Sequence, residues 1–135
     1  MLQLFRIDLL PAKSIRTGTK EQNSAKRKKE HALLCGRCGA IITNREEAVS
    51  VNDHHEHAFF NPAGIAFEIR CFGKARGCEV EGSPTGEFSW FSGYSWQYAI
   101  CASCLSHLGW FFTADGKTGA SFFGLRASLL RDVEF

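Results

Sequence analysis

Two Cys-x-x-Cys pairs, Cys35-Gly-Arg-Cys38 and Cys101-Ala-Ser-Cys104, are separated by 62 residues. A two-residue spacer lets both sulfurs of one knuckle face a single ion. Two such knuckles complete a tetrahedron with metal–sulfur distances near ~2.3 Å. Any fold that satisfies both pairs must bring remote parts of the chain together. Ligand type and spacing predict one Zn²⁺ held by Cys35, Cys38, Cys101 and Cys104. A closed four-sulfur shell leaves no position for water or substrate, so the predicted ion is structural. A disulfide framework would show less regular spacing in a shorter secreted chain, and a redox dithiol needs a βαβ pattern that is absent. Cys71 falls on an apolar strand face and reads as a small buried hydrophobe, whereas Cys78 reads as a free thiol in a loop.

The 135 residues suit one domain, and no apolar run is long enough for a transmembrane helix. Charge divides the chain. Residues 1–31 carry eight Lys/Arg against three acidic residues and end in Lys26-Arg27-Lys28-Lys29. They lack hydrophobic periodicity and are expected to form a basic, disordered tail. Residues 32–135, the expected domain, are mildly acidic. A basic face for nucleic acid is therefore not expected there, and only weak contact through the tail is open. Met1–Leu10 is broken by Arg6 and Asp8, and no small-residue cleavage site follows. A cytoplasmic location is the expectation.

From Ala32 onward short alternating runs predict an all-β domain. Strands are expected at Ile41-Ile42, Ala58-Phe59-Phe60, Ile65–Cys71, Trp96–Ile100, Trp110–Phe112 and Ala120–Leu125. Asn61-Pro62-Ala63-Gly64 reads as a turn. Residues 74–86, rich in glycine, read as loop, and Arg126–Val133 as a short terminal helix. His54, His55 and His57 read as a solvated turn, since no carboxylate or Cys spacing completes a metal site around them.

All three tryptophans, Trp90, Trp96 and Trp110, fall between positions 90 and 110. Packed in a core they would fill volume, but each buried indole N–H needs a partner. Set around a glycine turn they would wall a pocket. Pattern alone leaves both readings open.

Phe88-Ser89-Trp90-Phe91-Ser92-Gly93-Tyr94-Ser95-Trp96, the Cys101/Cys104 pair, His107-Leu108-Gly109-Trp110 and Phe122-Phe123-Gly124-Leu125 follow one another in the sequence. Cys35/Cys38 and Phe60-Asn61-Pro62-Ala63-Gly64 precede them in order. Together, over about residues 32–131, they resemble a CULT domain, the thalidomide-binding domain of cereblon. The resemblance implies a β-tent, two antiparallel sheets meeting at a four-cysteine zinc site. It implies a cage walled by Trp90, Trp96 and Trp110 with Phe112 at its base. Asn61 and Pro62 would lie at the mouth with Phe67 nearby. The backbone around Phe88, Ser89 and Trp90 would bond the edge of a cyclic imide. Cereblon carries histidine where Phe88 stands, which removes a side-chain bond but not a backbone one. Its Lon-like and ubiquitin-ligase adaptor regions have no counterpart here, so a ligase-receptor role by this chain alone is not expected.

The implied function is a non-enzymatic binding module. Its expected ligands are glutarimide or thalidomide-type rings, uracil-like rings, or C-terminal cyclic imides of damaged proteins. Indole faces satisfy ring methylenes, and backbone groups satisfy the acceptor–donor–acceptor imide edge. Two other readings compete. One is a zinc β-fold enzyme resembling methionine sulfoxide reductases, with Cys71 or Cys78 as the reactive thiol. The other is an aromatic-cage reader of methylated amines.

Overall fold

The computed structural model describes residues 31–116 and 119–133. The expected tail over residues 1–31 therefore lies, apart from His31, outside the described residues. Nine strands follow in order: β1 (Ala32–Cys35), β2 (Ile41–Asn44), β3 (Glu56–Phe60), β4 (Ala66–Phe72), β5 (Cys78–Thr85), β6 (Tyr94–Cys101), β7 (His107–Ala114), β8 (Ser121–Arg126) and β9 (Leu130–Asp132). They make two antiparallel sheets, a small one ordered β2-β1-β9 and a large one ordered β3-β4-β8-β7-β6-β5. Among the described residues the only helical pieces are single 3-10 turns, at Arg45–Glu47 and Ala127–Leu129. The all-β expectation holds.

Two clusters fill the interior. Leu33, Cys35 and Ile42 of the small sheet pack with Phe72, Ala99, Cys101, Leu108, Phe123 and Leu125 of the large one. A second cluster, on the other face of the large sheet, joins Ile69, Cys71, Phe91, Trp110, Phe112 and Phe122. Strand alternation explains the division. On β8, Phe123 and Leu125 enter the first cluster and Phe122 the second. On β7 the alternation is interrupted: Ala99 pairs with Gly109 but Ile100 pairs with His107, so Leu108 is an extra residue. This bulge turns Leu108 into the first cluster while Trp110 and Phe112 stay in the second.

Gly109 is required by close approach. A Cβ there would lie 2.2 Å from the Gly124 carbonyl oxygen and 2.8 Å from the Leu125 Cα. Backbone cannot yield as a flexible side chain does, so Gly109→Ala should cost about 3 kcal/mol by overpacking. Urea denaturation monitored by circular dichroism checks this, and a midpoint equal to that of the parent protein would refute it.

Three sequence expectations are corrected. The expected loop over residues 74–86 contains β5, whose Cys78–Glu81 pairs with Tyr98–Cys101. The register breaks between Glu81 and Thr85, where Gly82 adopts φ 91°. Glycine and Pro84 mark that irregularity, not the absence of a strand. The expected terminal helix is instead a 3-10 turn followed by β9, whose Leu130, Arg131 and Asp132 pair with Cys35, Leu34 and Leu33. Pairing with β1 overrides local helix propensity there. Of the histidines expected in a solvated turn, only His54 is exposed. His55 bonds the Val49 carbonyl through Nδ1, and His57 bonds the Val51 and His54 carbonyls through Nε2.

Candidate functional site

The four paired cysteines converge where the two sheets meet. Cys35 ends β1 of the small sheet and Cys101 ends β6 of the large one. All four sulfurs lie within 4.8 Å of one another, and none is in a disulfide. Cys35 and Cys104 Sγ are 3.8 Å apart, and Cys38 and Cys101 Sγ are 3.6 Å apart. The edge of a sulfur tetrahedron around an ion at ~2.3 Å is about 3.8 Å. The donor set and its spacing therefore fit one metal ion. Backbone N–H groups already face two sulfurs, Arg37 N–H toward Cys35 and Cys104 N–H toward Cys101. Such contacts stabilise thiolate charge. The knuckles are asymmetric: Cys35 and Cys101 are buried, Cys38 and Cys104 exposed. The Ser106 hydroxyl, 3.1 Å away, holds the Cys104 thiol down to about 6, while burial pushes Cys101 up to about 11.

Cys71 and Cys78 stand apart from this set. Burial pushes each thiol up to about 12, with the neighbouring Cys101 and Cys35 adding to the effect on Cys78. Cys78 does not lie in a loop as expected. It opens β5, pairs with Cys101 and packs against the first cluster. Thiols held that high are neutral near pH 7 and poor nucleophiles.

The tryptophans surround a cavity of about 420 Å³ on the other face of the large sheet. It is lined by Asn61, Pro62, Phe67, Phe88, Trp90, Trp96, Tyr98, His107, Trp110 and Phe112. Cross-strand pairing builds the walls, because Trp96 lies opposite Phe112, and Tyr98 opposite Trp110. Trp90 comes from the loop before β6 and meets Trp110 edge-on at 4.8 Å. Phe67 on β4 meets Trp110 at 5.4 Å, and Phe59 stacks on the outer face of this group against Trp90 at 5.0 Å.

Two of the three indole N–H groups are committed to backbone. Trp90 Nε1 donates to the Phe60 carbonyl at 3.0 Å, and Trp96 Nε1 to the Glu87 carbonyl at 2.8 Å. These bonds answer the difficulty of burying indoles together, and they fix the ring orientations. The Asn61 carboxamide oxygen accepts from the Ala63 and Ile65 N–H groups and so shapes the loop at the mouth. Phe88 has φ 59°, a left-handed conformation unusual for a bulky residue, and its side chain is 68% exposed. Among the described residues, the backbone N–H and C=O groups of Phe88 and Trp90 have no hydrogen-bond partner. The strained turn leaves them free beside an apolar cavity.

Of the nine residues assigned to ligand binding by resemblance, eight line this cavity. Ser89 does not; its hydroxyl exchanges hydrogen bonds with the Phe91 backbone. Tyr98 and His107 line it without having been assigned. Tyr98 was within reach of sequence reasoning, since it alternates with Trp96. His107 was hidden by the bulge at Leu108, because strict alternation back from Trp110 selects Leu108.

Two antiparallel sheets bridged by a four-thiol cluster, with an aromatic cavity in the larger sheet, define a β-tent domain. No family model matches the chain. The chain is 37% identical to cereblon of Gallus gallus over 103 residues, covering 73% of this chain and 23% of that protein. It is 36% identical to cereblon of Danio rerio over 103 residues and 31% identical to cereblon of Drosophila willistoni over 109. The chain spans about a quarter or less of the length of these curated relatives, with 24% of the Danio rerio protein and 18% of the Drosophila willistoni protein covered. The chain is a cereblon-like CULT domain. No helix among the described residues is long and apolar enough to cross a membrane.

Proposed function

We propose that the domain binds cyclic imides in the tryptophan cage, on a scaffold held by one structural Zn²⁺ at Cys35, Cys38, Cys101 and Cys104. The observation that carries this reading is the pairing of two surfaces. Indole faces whose N–H groups are spent elsewhere stand beside free backbone groups at Phe88 and Trp90. A six-membered imide has apolar methylenes for the former and an acceptor–donor–acceptor edge for the latter. A bound ring lacking that edge would cover these backbone groups without pairing them, at about 1–3 kcal/mol each. Uracil-like rings and C-terminal cyclic imides of damaged proteins share the edge and belong to the same ligand class.

The role is binding without turnover. Among the described residues no cavity-lining nucleophile is paired with a base, and the two thiols outside the metal set are protonated. Zn²⁺ held by Cys35, Cys38, Cys101 and Cys104 would cross-link the sheets and supply no chemistry at the cage, which is walled by other residues.

Titration of zinc-replete protein with glutarimide and with N-methylglutarimide, followed by tryptophan fluorescence, tests the reading. Glutarimide should shift the signal saturably and the N-methyl ring should not. Equal response to both rings, or to neither, would refute imide recognition. Competition by a trimethylammonium compound in place of the imide would identify an amine reader.

A further inference from the structure

The two sheets end in four edges, and three of them are covered or short. β2 is met by the 73–77 loop, whose Gly77 N–H donates to the Ile42 carbonyl. β3 is met by Trp90, whose Nε1 donates to the Phe60 carbonyl. β9 is three residues long. The fourth edge is β5, beside β6 at the end of the large sheet, and its residues from Glu79 to Pro84 are exposed.

Pairing fixes which backbone groups this edge offers. Ala102 N–H donates to the Gly77 carbonyl, and Glu79 and Glu81 lie opposite Ile100 and Tyr98. Residues 77, 79 and 81 therefore turn their backbone toward β6, and the alternation of an antiparallel ladder turns that of Val80 away from it. No strand lies on that side, so the Val80 N–H and C=O are open to an incoming chain. Gly82, at φ 91° and with its carbonyl accepting from the Gln97 carboxamide, ends the regular run.

The side chains select what fits. Residues directly opposite in a ladder share a face, so Glu79 and Glu81 project together from the face that carries Tyr98. β6 has no Lys or Arg, and neither carboxylate is in an ion pair among the described residues. Val80 points its 38% exposed side chain to the opposite face. This pattern disfavours a second copy. In an antiparallel pair centred on Val80, Glu79 of each copy would face Glu81 of the other, and like charges directly opposite are destabilising. The same carboxylates attract Lys or Arg spaced two residues apart on an extended chain. One device thus repels the domain's own edge and favours a basic strand.

We propose that the β5 edge is a docking track for an extended basic segment of another protein, added as an antiparallel strand centred on Val80. The incoming residue opposite Val80 exchanges two backbone hydrogen bonds with it, and the Lys or Arg on either side of that residue pair with Glu79 and Glu81. None of Glu79, Val80 and Glu81 lines the tryptophan cavity, and the proposal is independent of the imide reading.

The probe is the capped peptide Thr-Lys-Val-Lys-Thr, titrated at low salt into the ¹⁵N-labelled, zinc-replete full chain. The controls are Thr-Glu-Val-Glu-Thr and the lysine peptide methylated on its valine nitrogen. The Val80 amide resonance should move downfield saturably with the lysine peptide and with neither control. Replacing both carboxylates, by Glu79→Gln with Glu81→Gln, should weaken binding about fivefold, the scale of two exposed ion pairs. Both side chains are exposed, so this variant should keep the fold. Absence of Val80 movement with the lysine peptide overturns the proposal, as does equal movement with either control. Shifts confined to the indole N–H resonances would put the peptide at the cage and overturn the track. Self-association without peptide, read by sedimentation, would assign the edge to a second copy. A downfield Val80 resonance that salt alone reverses, without peptide, would assign it to the chain's own Lys26-Arg27-Lys28-Lys29 run. Either of these last results overturns the choice of an outside partner.

Discussion

Cys104→Ser should release the metal and unfold the domain. The prediction is discriminating because Cys104 is exposed. A surface thiol with no special role would cost within about 0.5 kcal/mol when replaced by serine. A structural zinc site instead contributes about 10–16 kcal/mol of binding free energy, comparable to or larger than the whole stability of a small domain. Losing one of four thiolates removes enough of that to leave β1 and β6 without their common anchor. Metal content by mass spectrometry should fall from one zinc per chain to well below one. The circular dichroism melt should lose its cooperative transition. A chelator added to the parent protein should reproduce the effect. A variant that melts like the parent would show that the cluster is not what holds the sheets together.

Trp96→Ala should weaken glutarimide binding about 30-fold or more while leaving the domain folded. Trp96 is half-buried and belongs to the cage wall more than to the core. In the proposed binding mode its indole supplies contact area to the ring, and its bond to the Glu87 carbonyl ties β6 to the turn before Trp90. Truncating an aromatic anchor at the centre of a small site typically costs about 2 kcal/mol or more. Calorimetry gives the affinity, and an unchanged melting temperature shows that the loss is local. Retention of binding within threefold would place the ligand elsewhere.

Much of this was legible in the sequence, for physical reasons. The Cys-x-x-Cys spacing constrains two distant knuckles to one point, and the structure brings the four sulfurs there. Alternation marked β4, where Phe67, Ile69 and Cys71 lie on the more buried face and Ala66, Glu68 and Arg70 on the other, and it marked the Trp110–Phe112 part of β7. The residues that escaped notice are those governed by partners remote in sequence. β5 carries glycines and a proline that suggest a loop, yet β6 supplies the pairing that makes it a strand. β9 has no periodicity of its own and exists because β1 offers it an edge. His107 was missed because one inserted residue shifts the phase of the strand, and a phase shift of that kind leaves no trace in composition.

The placement of the two knuckles also bears on how the protein matures. Cys35 closes the first strand and Cys104 follows the sixth, so a metal ion held by both knuckles would be captured only after six of the nine strands have been made and these distant segments have met. Closing so long a loop makes for slow assembly. Until β9 is made, β1 has only β2 beside it and exposes its other edge. Metal supply during that interval would then bear on how much newly made chain folds and how much is lost to aggregation or proteolysis. Scarcity of the metal would therefore lower the abundance of the domain before it altered the affinity of any molecule already folded.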